Sequence, residues 1–557
     1  MGVYSLCNPA FLSTASGREG TARMEKIVVE KFSFRYPGTE RYALKELSFS
    51  VEQGSFLLIC GRSGSGKTTL LRCLKKEVAP HGENTGRILI GDLVPGNIPL
   101  VESAAMIGFV MQDPENQIVT DTVWHELAFG LENLGVPTGV IRRRVAETAH
   151  FFGIASWFEK SVYELSGGQK QILNLAAVMA MQPDIIILDE PTAQLDPIAA
   201  KEFLQAVKRV NEELGKTVIL SEHRLDDALP LADNALYLRG GKNGFFGSPK
   251  EFARWCMNER EETFIPALPM AARLAEMWGG ADGFPLSVKE GRAFLESRKE
   301  KLRAVSPQRR EELSGPVMAA AQDIWFRYDK KDDFVLKGLG IEIRRREIHC
   351  ITGGNGSGKS TLLCMLAGLL KPARGRVWLA GGVKPGLLMQ NPKMMFACDT
   401  LRADLLENAQ AFAYTGRDVE NIAQIFGLKC LLDKHPYDLS GGEMQKAAIA
   451  KLLLLKPNML LLDEPTKGID AFAKKELADI LKKIAMDGAA VILVTHDLEF
   501  AASYADRCSL LFGGEIVCTD EGKAFFLGNN FYTTALNRIT RGIVPDCVIL
   551  KDVLRYV

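Results

Sequence analysis

Hydrophobic positions along this chain keep two rhythms. Short, nearly unbroken apolar runs precede polar landmarks: SFLLIC before Gly61, EIHCIT before Gly353, IIIL before Asp189 and LLL before Asp463. They are short for helices and lack the alternation of a half-exposed strand. They read as parallel strands covered on both faces, whose C-terminal ends deliver side chains to a ligand crevice. Stretches with helical spacing lie between them: TLLRCLKKE, TLLCMLAGLL, QKQILNLAAVMA and EMQKAAIAKLLLL. The pattern predicts an α/β fold.

The pattern also repeats. FSFRYPG around Tyr36 returns as IWFRYDK around Tyr328, and GRSGSGKTTL returns as GGNGSGKSTL. ELSGGQKQ returns as DLSGGEMQ, IIILDEPTAQLD as MLLLDEPTKGID, and LSEHRLDD as VTHDLEF. The offset between copies falls from 292 (Lys67 to Lys359) to 274 (Glu190 to Glu464), so the second copy is 18 residues shorter between these landmarks. A period this long marks a duplicated domain, not a solenoid. The copies are assigned to residues 24–252 and 317–528, separated by an accessory tail and charged linker, 253–316. Within that linker, 289–316 reads as a solvated helix followed by a proline-broken connection. FIPALPMAARLA and LSVKEGRAFL are loosely echoed by FYTTALNRITRG and VILKDVLRYV, so 529–557 reads as a second tail of the same kind. Residues 1–23 lack the basic start and apolar core of a secretion signal and read as a disordered extension.

Composition narrows the class. A chain of 557 residues suggests about three to five domains. Acidic and basic residues balance at 68 each, so no overall field recruits nucleic acid or an anionic membrane. No stretch approaches the ~18–20 apolar residues of a membrane helix, so any membrane work requires another chain to span. The 11 cysteines are scattered singly without a C-x-x-C pair and read as free thiols, not as disulfides or zinc ligands.

Chemistry enters with the motifs. Gly61-Arg62-Ser63-Gly64-Ser65-Gly66-Lys67-Thr68-Thr69 and Gly353-Gly354-Asn355-Gly356-Ser357-Gly358-Lys359-Ser360-Thr361 each stand between an apolar strand and a helical stretch. That context is what a phosphate loop needs, with converging backbone N–H groups and a helix N-terminus facing an anion. Lys67 and Lys359 would reach the β/γ-phosphates, and Thr68 and Ser360 would ligate Mg²⁺. Asp189 and Asp463, at the ends of apolar strands, are placed to hold Mg²⁺ through water. Glu190 and Glu464 follow and point elsewhere, able to orient or deprotonate an attacking water. Ser166-Gly167-Gly168-Gln169 and Ser440-Gly441-Gly442-Glu443 make a second anion cradle per copy. That is a puzzle unless each copy's cradle serves the nucleotide of the other.

With these motifs in order, the chain resembles two tandem ATP-binding-cassette (ABC) ATPase domains over most of residues 25–530. The resemblance implies, in each copy, a RecA-like core, an antiparallel β subdomain and an α-helical signature subdomain. It implies a head-to-tail sandwich of the two cassettes with two ATP molecules at the interface. One site would join the first phosphate loop to Ser440, Gly441 and Gly442, and the other would join the second loop to Ser166, Gly167 and Gly168. Tyr36 and Tyr328 would stack on adenine, and His223 and His496 would contact the γ-phosphate. Gln112 and Gln390 would sense Mg²⁺ and the attacking water, and Asp196 and Asp470 would lie on the inter-domain loop. No motif is degenerate, so both sites are expected to hydrolyse ATP.

The first copy's QDPENQIVTDTVWHELAFGLENLG resembles more narrowly the ATPases of energy-coupling factor (ECF) transporters, and the paired tails resemble fused members of that group. This implies peripheral attachment at the cytoplasmic face of a prokaryotic membrane. The partners implied are a transmembrane coupling (T) subunit and a substrate-binding (S) subunit, with no nucleic acid. The cargo, a vitamin, vitamin precursor or transition-metal ion, would be recognised by another polypeptide. The second copy departs: MQNPKMMFACDTLRADL keeps Gln390-Asn391-Pro392 but loses the acidic-amide run. The rival is a ribosome-acting tandem cassette of the ABC-F type, to which the charged linker gives footing.

Overall fold

The computed structural model describes residues 25–261, 264–280, 283–301, 315–467, 469 and 471–556. The N-terminal extension and Asp470 lie outside these residues. The first copy contains strands β1 (Glu25–Arg35), β2 (Leu44–Glu52), β3 (Phe56–Gly61), β4 (Glu83–Ile90), β5 (Ile107–Val110), β6 (Ile185–Asp189), β7 (Thr217–Ser221), β8 (Asn234–Arg239) and β9 (Lys242–Gly247). The second contains β10 (Val317–Phe326), β11 (Leu336–Arg344), β12 (Ile348–Thr352), β13 (Arg374–Leu379), β14 (Pro385–Leu388), β15 (Met459–Asp463), β16 (Ala490–Val494), β17 (Arg507–Phe512) and β18 (Glu515–Glu521).

Each copy has a six-stranded sheet, ordered β5-β6-β7-β3-β8-β9 or β14-β15-β16-β12-β17-β18, parallel except for its last edge strand. A three-stranded antiparallel sheet, β2-β1-β4 or β11-β10-β13, covers one face. Every residue of β3, β6 and β7, and of β12, β15 and β16, is buried, because apolar cores lie on both sides of the large sheet. This is the physical reason for their unbroken apolar runs. Strands β3 and β12, which lead into the glycine loops, sit in mid-sheet beside the strands that carry the histidines. A separate helical subdomain in the first copy packs Val123, Leu127, Leu131, Val145 and Leu165 against the helix Gly167–Ala180.

Part of the second copy's shortening is the loss of one element. Between β4 and β5 the first copy inserts the helix Leu100–Met106, whereas β13 and β14 are joined by a short connection. The helix Val288–Glu296, expected to be solvated, is instead docked. Gly291 and Leu295 are buried, and a Cβ at Gly291 would come 2.9 Å from Ala271 Cβ and 3.1 Å from Ile539 Cδ1. Its charges lie on one face, and its other face joins a core of Met270, Leu274, Leu536, Ile539, Val544 and Tyr556. The two loosely similar tails therefore meet in one apolar cluster. No helix among the described residues is long and apolar enough to cross a membrane.

Candidate functional site

The glycine loops leave β3 and β12 and turn into the helices Lys67–Cys73 and Lys359–Leu366. Gly66 and Gly358 begin those helices at φ 99° and 102°. A Cβ at Gly66 would stand 2.7 Å from Leu44 Cδ2, and one at Gly358 would stand 2.6 Å from Leu336 Cδ2. Only glycine fits both the backbone angle and the space. The buried Lys67 amine rests on Gly61 O at 3.1 Å and Arg62 O at 3.3 Å; that of Lys359 rests on Gly353 O at 3.0 Å and Gly354 O at 2.8 Å. The Ser65 and Ser357 hydroxyls are buried without a hydrogen-bond partner. A buried ammonium and an orphaned hydroxyl in each loop fit an anionic phosphate group. Ser63, Gly64, Asn355 and Gly356 form the exposed crests.

Tyr36 and Tyr328 are not core residues: they are 38% and 66% exposed. Each hydroxyl is 3.0 Å from the hydroxyl of Thr69 or Thr361, and each ring stands edge-on to Phe34 or Phe326 with centroids 5.0 Å apart. Their free faces are available for a flat ring beside each glycine loop.

At the ends of β6 and β15 the chain presents Asp189 and Asp463, then bends through Glu190 and Glu464 at φ 45° and 51°. A left-handed conformation costs a non-glycine residue about 1–3 kcal/mol and marks a constrained site. Thr68 Oγ1 donates to Asp189 Oδ1 at 3.1 Å, and the Ser360 hydroxyl bonds Asp463. Burial raises the carboxyls of both aspartates. A hydroxyl and one carboxylate per site suit Mg²⁺, which takes few protein ligands and completes its shell with water and phosphate. Among the described residues no group of three acids, histidines or cysteines is arranged to hold a metal ion by itself.

The two glutamates differ. His223 Nε2 lies 2.7 Å and Lys67 Nζ 3.3 Å from Glu190 Oε1, and Gln112 Nε2 donates to Oε2 at 3.1 Å. Burial pushes Glu190 up, but the His223 hydrogen bond and the charges of His223 and Lys67 prevail and hold it at about 2. In the second copy His496 Nε2 comes within 3.2 Å of Glu464 Oε1, yet leaves that oxygen without a hydrogen bond. Burial carries Glu464 up to about 7 against the pull of Lys359, with Asp463 adding to the rise. His496 falls to about 4 through burial and the Lys359 charge. Gln390 is exposed.

Ser166 and Ser440 cap the helices Gly167–Ala180 and Gly441–Leu454 in matching capping boxes. Gln169 and Glu443 turn back onto the serine backbone, accepting from Ser166 N and Ser440 N at 2.9 Å. Ser166, Gly167, Ser440 and Gly441 are exposed, and a Cβ at Gly168 would meet Ala199 Cβ at 2.8 Å. Across the interface, the Arg62 guanidinium of the first loop lies 4.6 Å over the Phe472 ring of the second copy. Asp196, which caps the helix Pro197–Leu214, acts electrostatically on Lys359 and His496 of the other copy.

The run 113–117 is braced against the helix Gly167–Ala180, the signature helix of the first copy. Asp113 caps its own turn by accepting from Glu115 N, and Gln117 bonds Met111 N and Phe109 O. Glu115 pairs with Lys170 at 2.5 Å, while Gln171 and Asn174 donate to Met111 O and Pro114 O. In the second copy Lys451 does this work, bonding Met395 O, Asp404 and Glu407. Sequence reasoning missed Ser221, whose hydroxyl joins Asp189 Oδ1 to Glu190 N. It also missed Lys467, which stands where the first copy has Ala193. Both were legible by laying LSEH against LVTH and DEPTA against DEPTK.

An ABC transporter family profile matches residues 44–193 and 336–467. A protein of Bacillus thuringiensis subsp. konkukian, provisionally named as an ABC transporter ATP-binding protein, is 42% identical over 94% of this chain and 97% of its own. One of Bacillus subtilis, provisionally named as an HMP/thiamine import ATP-binding protein, is 32% identical over 90% of this chain and 91% of its own. A solved structure of CbiO1 from Clostridium perfringens, described as part of an ABC transporter complex, shares 31% identity and covers 43% of this chain and 93% of its own, with a TM-score of 0.39.

Proposed function

This chain belongs to the ABC transporter family as an ATP-hydrolysing subunit, and we propose that it drives an importer of the energy-coupling factor type. In this reading it works at the cytoplasmic face of a membrane, beneath a T subunit and an S subunit that holds a micronutrient. The name of the Bacillus subtilis relative supports import of a vitamin or precursor.

Two ATP molecules are bound between the cassettes, each by one phosphate loop and the serine–glycine cradle of the other copy. Lys67 and Lys359 exchange their loop carbonyls for phosphate oxygens, and Ser65 and Ser357 donate their orphaned hydroxyls. Thr68, Gln112 and Asp189 in one site, and Ser360, Gln390 and Asp463 in the other, would hold Mg²⁺. The ion, when bound, neutralises phosphate charge. Glu190 and Glu464 orient and deprotonate the attacking water, and His223 and His496 contact the terminal phosphate. Contacts made only in the closed state are what ATP can use to drive closure.

The observation that carries the transport reading is the chain of contacts from Glu190 to the surface. Gln112 bonds Glu190 at one end of the loop, and the run that follows is clamped to the signature helix by Lys170, Gln171 and Asn174. Beside it Val119 and Trp124 are 65% and 44% exposed, apolar surface for a coupling helix. The charged helix that gave the ribosomal reading its footing is docked in the tail core. The test is a Glu115→Ala, Asn116→Ala double variant, which spares the Asp113 cap. It should keep ATP binding while losing co-purification with membrane subunits. Unchanged assembly, or sedimentation with ribosomes instead, would contradict the reading.

A further inference from the structure

Three residues after each of His223 and His496 stands a carboxylate, Asp226 in one copy and Glu499 in the other. Each reaches out of its own segment to a tail. Met270 N, the first N–H of the helix Met270–Glu276, donates to Asp226 Oδ1 at 2.8 Å. Ala535 N, the first N–H of the helix Ala535–Thr540, donates to Glu499 Oε1 at 2.7 Å. A helix start leaves its first N–H groups unpaired, and Pro269, which precedes Met270, has no side chain that can cap them. The carboxylates supply that partner from the histidine segments in both copies, although the residue type differs and the tails are only loosely alike.

Both carboxylates line a cavity of about 460 Å³ between the cassettes, together with His223, His496 and Arg273. Asp226 is reached by water from that cavity, yet burial by the surrounding protein raises its carboxyl. Glu499 rises to about 8 through burial and the nearby Asp226 charge, so it accepts its hydrogen bond at neutral pH as a protonated acid. Arg273 feels both carboxylates. The two tails are packed on each other through Met270, Leu274, Leu295, Leu536 and Ile539. The two histidine segments are thus joined through two hydrogen bonds and one shared apolar core.

We propose that Asp226 and Glu499 are positioning residues through which the joined tails fix the settings of His223 and His496, so that displacement of one histidine segment is carried to the other. The inference rests on the reading that these histidines contact the terminal phosphate. Its test is steady-state ATPase of the full chain. Glu499→Ala should lower kcat about three- to tenfold, the loss of one buried hydrogen bond, with KM for ATP nearly unchanged. Glu499→Gln, which copies the protonated acid, should restore it. In a His496→Ala background, Glu499→Ala should cause no further loss, because it acts through that histidine. Ala535→Pro removes the same hydrogen bond from the donor side at a helix position that tolerates proline, and should lower kcat as Glu499→Ala does. It carries the test if the alanine variant folds poorly. Wild-type kcat in either Glu499→Ala or Ala535→Pro, with His496→Ala impaired, would overturn the inference, as would additive losses in the double variant. Full kcat in His496→Ala would remove the histidine reading and this inference with it.

Discussion

Glu190 and Glu464 end matching strands, share a left-handed backbone and follow identical aspartates, but they are set differently. Glu190 is closed into a lattice of Lys67, His223 and Gln112 and held ionised, whereas Glu464 has an oxygen without a hydrogen bond and a carboxyl raised to about 7. The histidine and lysine make the difference: His223 and Lys67 both hydrogen-bond the Glu190 carboxylate, whereas His496 leaves Glu464 Oε1 without a hydrogen bond. Ser221, whose hydroxyl joins Asp189 to Glu190 N, is also replaced by Val494 in the second copy. The motifs alone imply two competent sites, with Gln169 against Glu443 as their visible asymmetry. The same motif residues are placed differently around the two glutamates, and this difference can be tested one site at a time.

The largest effect should come from the glutamates together. Glu190→Gln with Glu464→Gln should lower ATP turnover by about 10²–10⁴-fold, the range of a lost general base, while each single variant keeps part of the rate. A single variant with undiminished turnover would mean that its site does not hydrolyse. A smaller effect is expected from Ser221→Ala in a Glu464→Gln background, where the first site alone reports. Removing the bridge between Asp189 and Glu190 should slow that site about three- to tenfold. If the rate holds, the Ser221 bridge does not contribute to the first site's turnover. The smallest effect should be Glu443→Gln. Removing a carboxylate beside the cradle proposed to face the first site's ATP should lower the KM for ATP about two- to fivefold, read in the same background.

Much of this was legible in the sequence because its causes are local. An unbroken apolar run ending in Asp-Glu specifies a strand covered on both faces, and a glycine loop between strand and helix specifies Gly66 and Gly358. What escaped was set by residues distant in sequence. The helix Val288–Glu296 looked solvated because its charges are visible in the sequence, while part of what covers its other face, Ile539, lies more than two hundred residues away. The unequal glutamates were hidden for the same reason, since Lys67 and His223 meet Glu190 only once β3, β6 and β7 pair. In 113–117, Asp113 and Gln117 shape the turn, and the exposed Glu115 and Asn116 are held by Lys170 and Asp113.

The central claim is that each ATP site is built from both copies. Four double variants test it: Lys67→Ala or Lys359→Ala, each combined with Ser166→Arg or Ser440→Arg, with ATPase measured on the full chain. Lys67→Ala with Ser440→Arg damages one composite site twice and should leave residual turnover from the other, as should Lys359→Ala with Ser166→Arg. Lys67→Ala with Ser166→Arg, or Lys359→Ala with Ser440→Arg, damages both sites and should abolish turnover. The opposite pattern, with activity surviving only when both changes fall in the same copy, would contradict the account.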